Sequence, residues 1–126
     1  MKWPFWMIAV CCALIGTPPA LAESAPHDRT GQAVRAFVTA YGSGGVTIVD
    51  PEAARVVGTV KTGLHPFGVA IAPSGKEIYV SNEGDGTLSF ISPATAQVVA
   101  KIPVGKEPRH VTVSTDGRYV FVALHG

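Results

Sequence analysis

The stretch Ile78-Tyr79-Val80-Ser81-Asn82-Glu83-Gly84-Asp85-Gly86-Thr87-Leu88-Ser89-Phe90-Ile91 decides how this chain folds. Two short runs rich in aromatic and β-branched residues flank a glycine turn, the pattern of an antiparallel hairpin. The same pattern stands once before it and once after it, at one fixed interval. Phe37, Tyr79 and Phe121 correspond, as do Val38, Val80 and Val122, and Gly42, Gly84 and Gly126. Pro51 matches Pro93, Gly63 matches Gly105, Pro66 matches Pro108 and Gly75 matches Gly117.

Working outward, the middle unit predicts four strands: Phe67 to Ala72, Glu77 to Ser81, Thr87 to Ile91 and Gln97 to Val104. Ahead of it, Ala36 to Ala40, Val46 to Val49 and Arg55 to Val60 read as three more. Each is bounded by Gly, Pro, Asp or Ser. Several are apolar on both faces, as a sheet covered on both sides must be. Asp50-Pro51-Glu52-Ala53-Ala54-Arg55 competes as a helix start. Its counterpart Ser92-Pro93-Ala94-Thr95-Ala96 runs straight into Val98-Val99, and a turn is expected in both places. A period of about 40–45 residues made of four short strands is that of a propeller blade. The expected fold is all-β: four-stranded antiparallel β-propeller blades in an incomplete ring of about two to three blades, over 35–126.

The first residues stand apart. Met1-Lys2 is followed by an apolar run from Trp6 to Ile15, then Pro18-Pro19 and an Ala20-Leu21-Ala22 cleavage pattern. This reads as a cleaved signal peptide over 1–22, too short to span a bilayer, with a polar linker over 23–34. Both cysteines, Cys11 and Cys12, fall inside the leader. Cleavage would leave no disulfide, thiolate metal site or thiol nucleophile, and would place the protein in the periplasm or outside the cell, with no membrane anchor. The formal net charge of +1 gives no reason to expect nucleic acid or an anionic membrane as partner.

Ile78-Tyr79-Val80-Ser81-Asn82 resembles the Tyr-Val-Thr-Asn signature of the YVTN-type (WD40-like) β-propeller repeat family. Ala72-Pro73-Ser74-Gly75-Lys76 and Ser114-Thr115-Asp116-Gly117-Arg118 resemble its Ser-Pro-Asp-Gly-Lys turn, and Gly105-Lys106-Glu107-Pro108-Arg109 its inter-blade link. The resemblance implies a ring of usually seven blades. The chain therefore reads as the amino-terminal piece of a longer propeller, or as a short chain that self-associates through open blade edges. Similar proteins include the propeller domain of haem-containing nitrite reductases and propellers of quinoprotein (PQQ-dependent) catabolism.

Strand order brings the inter-blade links and the turns around Tyr41, Glu83 and His125 to one rim, where propellers commonly bind ligands. The rim candidates are His65, Asn82, Glu83, Arg109, His110 and His125, with Asp85 beside them. His65, His110 and His125 could converge as a metal or haem site. Their spacing matches no compact ligand motif, and solvated loop histidines are the simpler reading, so no metal site is expected. Asn82-Glu83-Gly84-Asp85-Gly86 has acids at alternate positions, as a calcium loop does. Its counterpart Tyr41-Gly42-Ser43-Gly44-Gly45 keeps glycines without acids, so hairpin geometry explains both. No Gly-x-Ser-x-Gly elbow occurs, and no catalytic residue is assigned. The expectation is a non-catalytic scaffold with no cofactor, binding a small molecule or a protein on its rim. The alternative is a redox-associated propeller linked to haem or PQQ.

Overall fold

The computed structural model describes residues 34–126. The expected leader, and the expected linker up to residue 33, lie outside them. β1 (Ala36–Ala40), β2 (Gly45–Asp50) and β3 (Arg55–Lys61) form a three-stranded antiparallel sheet. β4 (Pro66–Ile71), β5 (Ile78–Asn82), β6 (Thr87–Ser92) and β7 (Gln97–Pro103) form a four-stranded one. β8 (Pro108–Val113) and β9 (Val120–Leu124) form a two-stranded one. Among the described residues the order is the one expected: a blade without its first strand, a whole blade, and two strands of a third, in an open arrangement.

The sequence period is also a geometric period. The β2–β3 register shifts between Ile48 and Val49, and the β6–β7 register shifts one period later, between Phe90 and Ile91. The register shift between Pro66 and Val69 recurs between Pro108 and Val111. Bulges bend and twist a strand, and here each recurs at the same position of the repeat. The segment after Asp50 is a turn. Asp50 Oδ1 accepts the amides of Glu52 at 3.1 Å and Ala53 at 2.9 Å. The backbone then enters the left-handed region at Ala54 (φ 49°), as at its counterpart Ala96 (φ 53°). That conformation ends any helical path.

Alternation along β5 divides the core in two. Ile78 and Val80 face the first blade and pack with Val46, Ile48, Val60 and Ile91. Tyr79 points the other way, into a cluster with Ala72 and Leu88 against which Val111, Val113, Val120 and Val122 of the third blade pack. Burying each such side chain contributes about 1.5–3 kcal/mol. The facing apolar sides of the first and second blades, and of the second and third, therefore cover one another without a separate layer.

A hydroxyl ties the first blade to the second, and the second to the third. Thr39 on β1 donates to the Phe67 carbonyl on β4 at 3.1 Å. Ser81, its counterpart on β5, donates to the Arg109 carbonyl on β8 at 2.6 Å and accepts the Gly68 amide at 2.9 Å. Gly68 is required by this approach, since a Cβ there would overlap the Arg109 carbonyl. The third position of the series is Ala123, which has no hydroxyl.

Candidate binding rim

Two tight links carry the rim. His65 (φ 51°) and Glu107 (φ 46°), equivalent in the repeat, both hold a left-handed backbone. Non-glycine residues seldom adopt it. Each link is anchored to the hairpin turn of its own blade. The Glu83 and Gly84 amides donate to the carbonyls of His65 (2.9 Å) and Leu64 (3.0 Å), and the His125 amide donates to that of Glu107 (3.1 Å). A Cβ on Gly84 would stand 2.8 Å from His65 Nδ1, so the glycine makes room for the imidazole.

Side chains from all three sheets and their links meet there. Tyr41 stacks on His65, with ring centroids 4.5 Å apart and planes 12° from parallel. Arg109 Nε donates to Glu83 Oε1 at 2.6 Å. The Glu83 side chain is only 10% exposed, and a charge so covered needs such a partner. The Arg109 guanidinium, followed by the Tyr41 hydroxyl, holds the Glu83 carboxyl below its ordinary value. In return the Glu83 carboxylate pushes the Tyr41 phenol up. Arg109 also lies over the Phe67 ring, 5.6 Å from its centroid, within cation–π range. Tyr41, His65, Glu83, Gly84, Glu107 and Arg109 line a depression of about 330 Å³. A second depression, of about 460 Å³, adjoins it, shares Glu83, Gly84 and Glu107, and adds Asp85 and Lys106.

Of the residues expected on the rim, His65, Glu83 and Arg109 come together. His125 lies at the edge, with Nδ1 3.5 Å from Glu107 Oε2. His110 does not join them; it packs edge-on to Phe67 at 5.7 Å and lines a separate depression with Thr112 and Phe121. The three histidines therefore do not converge. Among the described residues no group of three or more His, Cys, Asp or Glu is placed to hold a metal.

Asn82 is turned inward and fully buried, so its side chain is not presented on the rim. Its Nδ2 donates to Thr87 Oγ1 at 3.0 Å and Ser89 Oγ at 2.9 Å. Those hydroxyls donate in turn to Asp85 Oδ1 (2.6 Å) and the Thr62 carbonyl (3.2 Å). An amide nitrogen and acceptor-only ends set the direction of this chain of bonds. Asp85 closes the network. Burial works against its charge, but Lys101 Nζ at 2.7 Å, the Thr87 hydroxyl and the Leu64 amide hold its carboxyl below the ordinary value. Tyr41 and Glu107 were absent from the sequence-based set. The repeat register marks both: Tyr41 is equivalent to Glu83 and His125, and Glu107 to His65.

A sequence profile for the YNCE-like beta-propeller matches residues 2–125. The chain belongs to the YNCE-like β-propeller family. Among solved structures, hydrazine synthase from Kuenenia stuttgartiensis is similar, with 30% identity and a TM-score of 0.70 over 71% of this chain and 26% of that one. A functionally unknown protein from Desulfotomaculum acetoxidans has 18% identity and a TM-score of 0.64, over 71% of this chain and 31% of that one. Dihydro-heme d1 dehydrogenase NirN, in complex with DHE, has 24% identity and a TM-score of 0.62, over 79% of this chain and 24% of that one. These last two likenesses carry the fold alone. This YNCE-like chain spans a quarter to a third of the length of the structures it matches. No curated protein matches it.

Proposed function

We propose that this YNCE-like propeller is an exported, non-catalytic scaffold that binds a small polar molecule or a partner protein on the rim over its inter-blade links. The observation that carries this reading is the depression lined by Tyr41, His65, Glu83, Glu107 and Arg109, drawn from three successive sheets and their links. A binding site in a pseudo-symmetric scaffold needs residues that break the repeat. These do: Tyr41, Glu83 and His125 differ at one repeat position, His65 and Glu107 at another. Periplasmic or secreted placement rests on the leader pattern over 1–22. Neither a cofactor nor nucleic acid is part of the reading.

Nuclear magnetic resonance titration of the purified chain with charged and neutral small molecules tests it. Saturable shifts at Tyr41, His65 and Glu107 are expected. Shifts confined to other faces, or turnover of an added compound, would overturn the reading.

The haem- or quinone-associated alternative rests on no feature of the rim, only on the occurrence of the same fold in a dihydro-heme d1 dehydrogenase. It would draw on His65 and His125 at the rim, with His110 on a different face. An optical shift on mixing the chain with haem or PQQ would favour it, and an unchanged spectrum would remove it.

A further inference from the structure

The charges lining the rim depression do not cancel. Glu83, Glu107 and Arg109 contribute two carboxylates and one guanidinium. Arg109 is committed to Glu83 at 2.6 Å and lies over Phe67, so its charge is largely spent within the protein. Glu107 is not matched in this way. Its side chain is 51% exposed, with Arg109 Nη2 3.9 Å away and His125 Nδ1 at 3.5 Å, a contact that carries charge only when the imidazole is protonated. Lys106 lines the adjoining depression, not this one. Beside Glu107 the depression also holds the half-exposed Tyr41 ring, held in orientation by its stack on His65.

The geometry points to a cation-selective subsite: the depression accepts an alkylammonium or guanidinium group, held by the Glu107 carboxylate and the Tyr41 ring. The inference rests on the rim-binding reading above and names its ligand chemistry. A carboxylate next to an exposed aromatic face is the combination that retains such a group, through a charge-assisted hydrogen bond and a cation–π contact. An anion would face Glu107 with only an already paired guanidinium to receive it. The cation can belong to a free amine or to a Lys or Arg side chain of a partner protein. Both have the same chemistry at the subsite.

The test is titration of the full chain, followed by nuclear magnetic resonance and calorimetry, with three probes. These are agmatine, an acetylated and amidated Gly-Lys-Gly peptide, and succinate as the anionic control. Saturable binding of agmatine or the peptide is expected, with shifts at Tyr41 and no response to succinate. Binding of agmatine alone would assign the subsite to free amines, and binding of the peptide alone to a protein partner. Glu107→Gln should weaken the cation by about tenfold, the loss of one hydrogen bond to a charged group. Tyr41→Leu should weaken it severalfold, and Lys106→Gln should leave it unchanged. An amide spectrum of each variant establishes that it is folded. Equal affinity in folded Glu107→Gln overturns the inference. Saturable succinate binding that disappears in Arg109→Ala also overturns it, while leaving rim binding intact. If none of the three probes saturates, both the inference and the rim-binding reading for small charged ligands fall.

Discussion

β5 and β9 are equivalent strands of similar sequence, Ile-Tyr-Val-Ser-Asn against Val-Phe-Val-Ala-Leu, and lie in opposite environments. Every residue of β5 is buried, whereas β9 is half-buried to exposed throughout. Tyr79 is 4% exposed and its counterpart Phe121 is 58% exposed. β1, the third copy, lies between these extremes. What differs is the number of neighbours. Among the described residues β5 has a blade against each face, and the other two have a blade against one. Burial in this architecture is a property of position in the array rather than of the strand's own residues, as expected where each repeat is stabilised mainly by contact with the next.

The largest effect should come from Gly68, which the third blade approaches most closely. Gly68→Ala forces a Cβ onto the Arg109 carbonyl. It should cost about 3 kcal/mol in urea unfolding, the upper end for overpacking. Its counterpart on β8 is His110, exposed and carrying a full side chain, because no further described strand packs there. A Cβ added at Gly42 has open space around it. Gly42→Ala should therefore change stability by only about 0.5 kcal/mol or less. Equal costs would remove the claim that the neighbouring blade decides the difference.

Next in size is Val80→Ala, at a position with 0% exposure. It should cost about 2 kcal/mol. Val38→Ala is the same change at 51% exposure. It should cost about 0.5 kcal/mol or less. Ser81→Ala follows. It strands the Gly68 amide and the Arg109 carbonyl, and should cost about 1–2 kcal/mol. Thr39→Ala removes one hydrogen bond and should cost about 0.5–1 kcal/mol. Faster amide exchange at Gly68 in Ser81→Ala alone would place the loss at the junction of the second and third blades.

The smallest effect is a pH dependence. The Glu83 carboxyl is depressed below its ordinary value of 4.5, so its contribution to stability is fully present above that pH. It is lost as the pH falls through the lowered folded value. Stability measured from about pH 6 down to about pH 3 should therefore fall less steeply in Glu83→Gln than in the unaltered chain. Asp50, Asp85 and Asp116 are also depressed and will titrate in both proteins, so the comparison isolates the glutamate.

The fold was legible because its signals are local and recur. β1 was expected at Ala36 to Ala40 and occupies those residues, and the other strands of the first two blades lie within a residue or two of expectation. The helix-like segment after Asp50 was resolved correctly by its counterpart, where Val98-Val99 cannot continue a helix. The rim was legible only in part. His65, Glu83 and Arg109 could be placed from strand order, but alternation on a strand does not say which face a neighbour covers. Asn82 was for that reason expected outward and lies inward, committed to Ser89 and Thr87. Histidines attract notice as ligands, which favoured His110 over the less conspicuous Tyr41 and Glu107.

Period, turn chemistry and strand boundaries were set by the order of residues, since φ preferences and β-propensity act over a few neighbours along the chain. The two-sided burial of β5, the Ser81 tie to β8 and the Tyr41–Glu83–Arg109 cluster were decided only in three dimensions. Each joins residues far apart in sequence whose meeting depends on blade packing. Packing converts equivalent positions in a repeat into different environments, and the proposed binding rim lies where those environments differ.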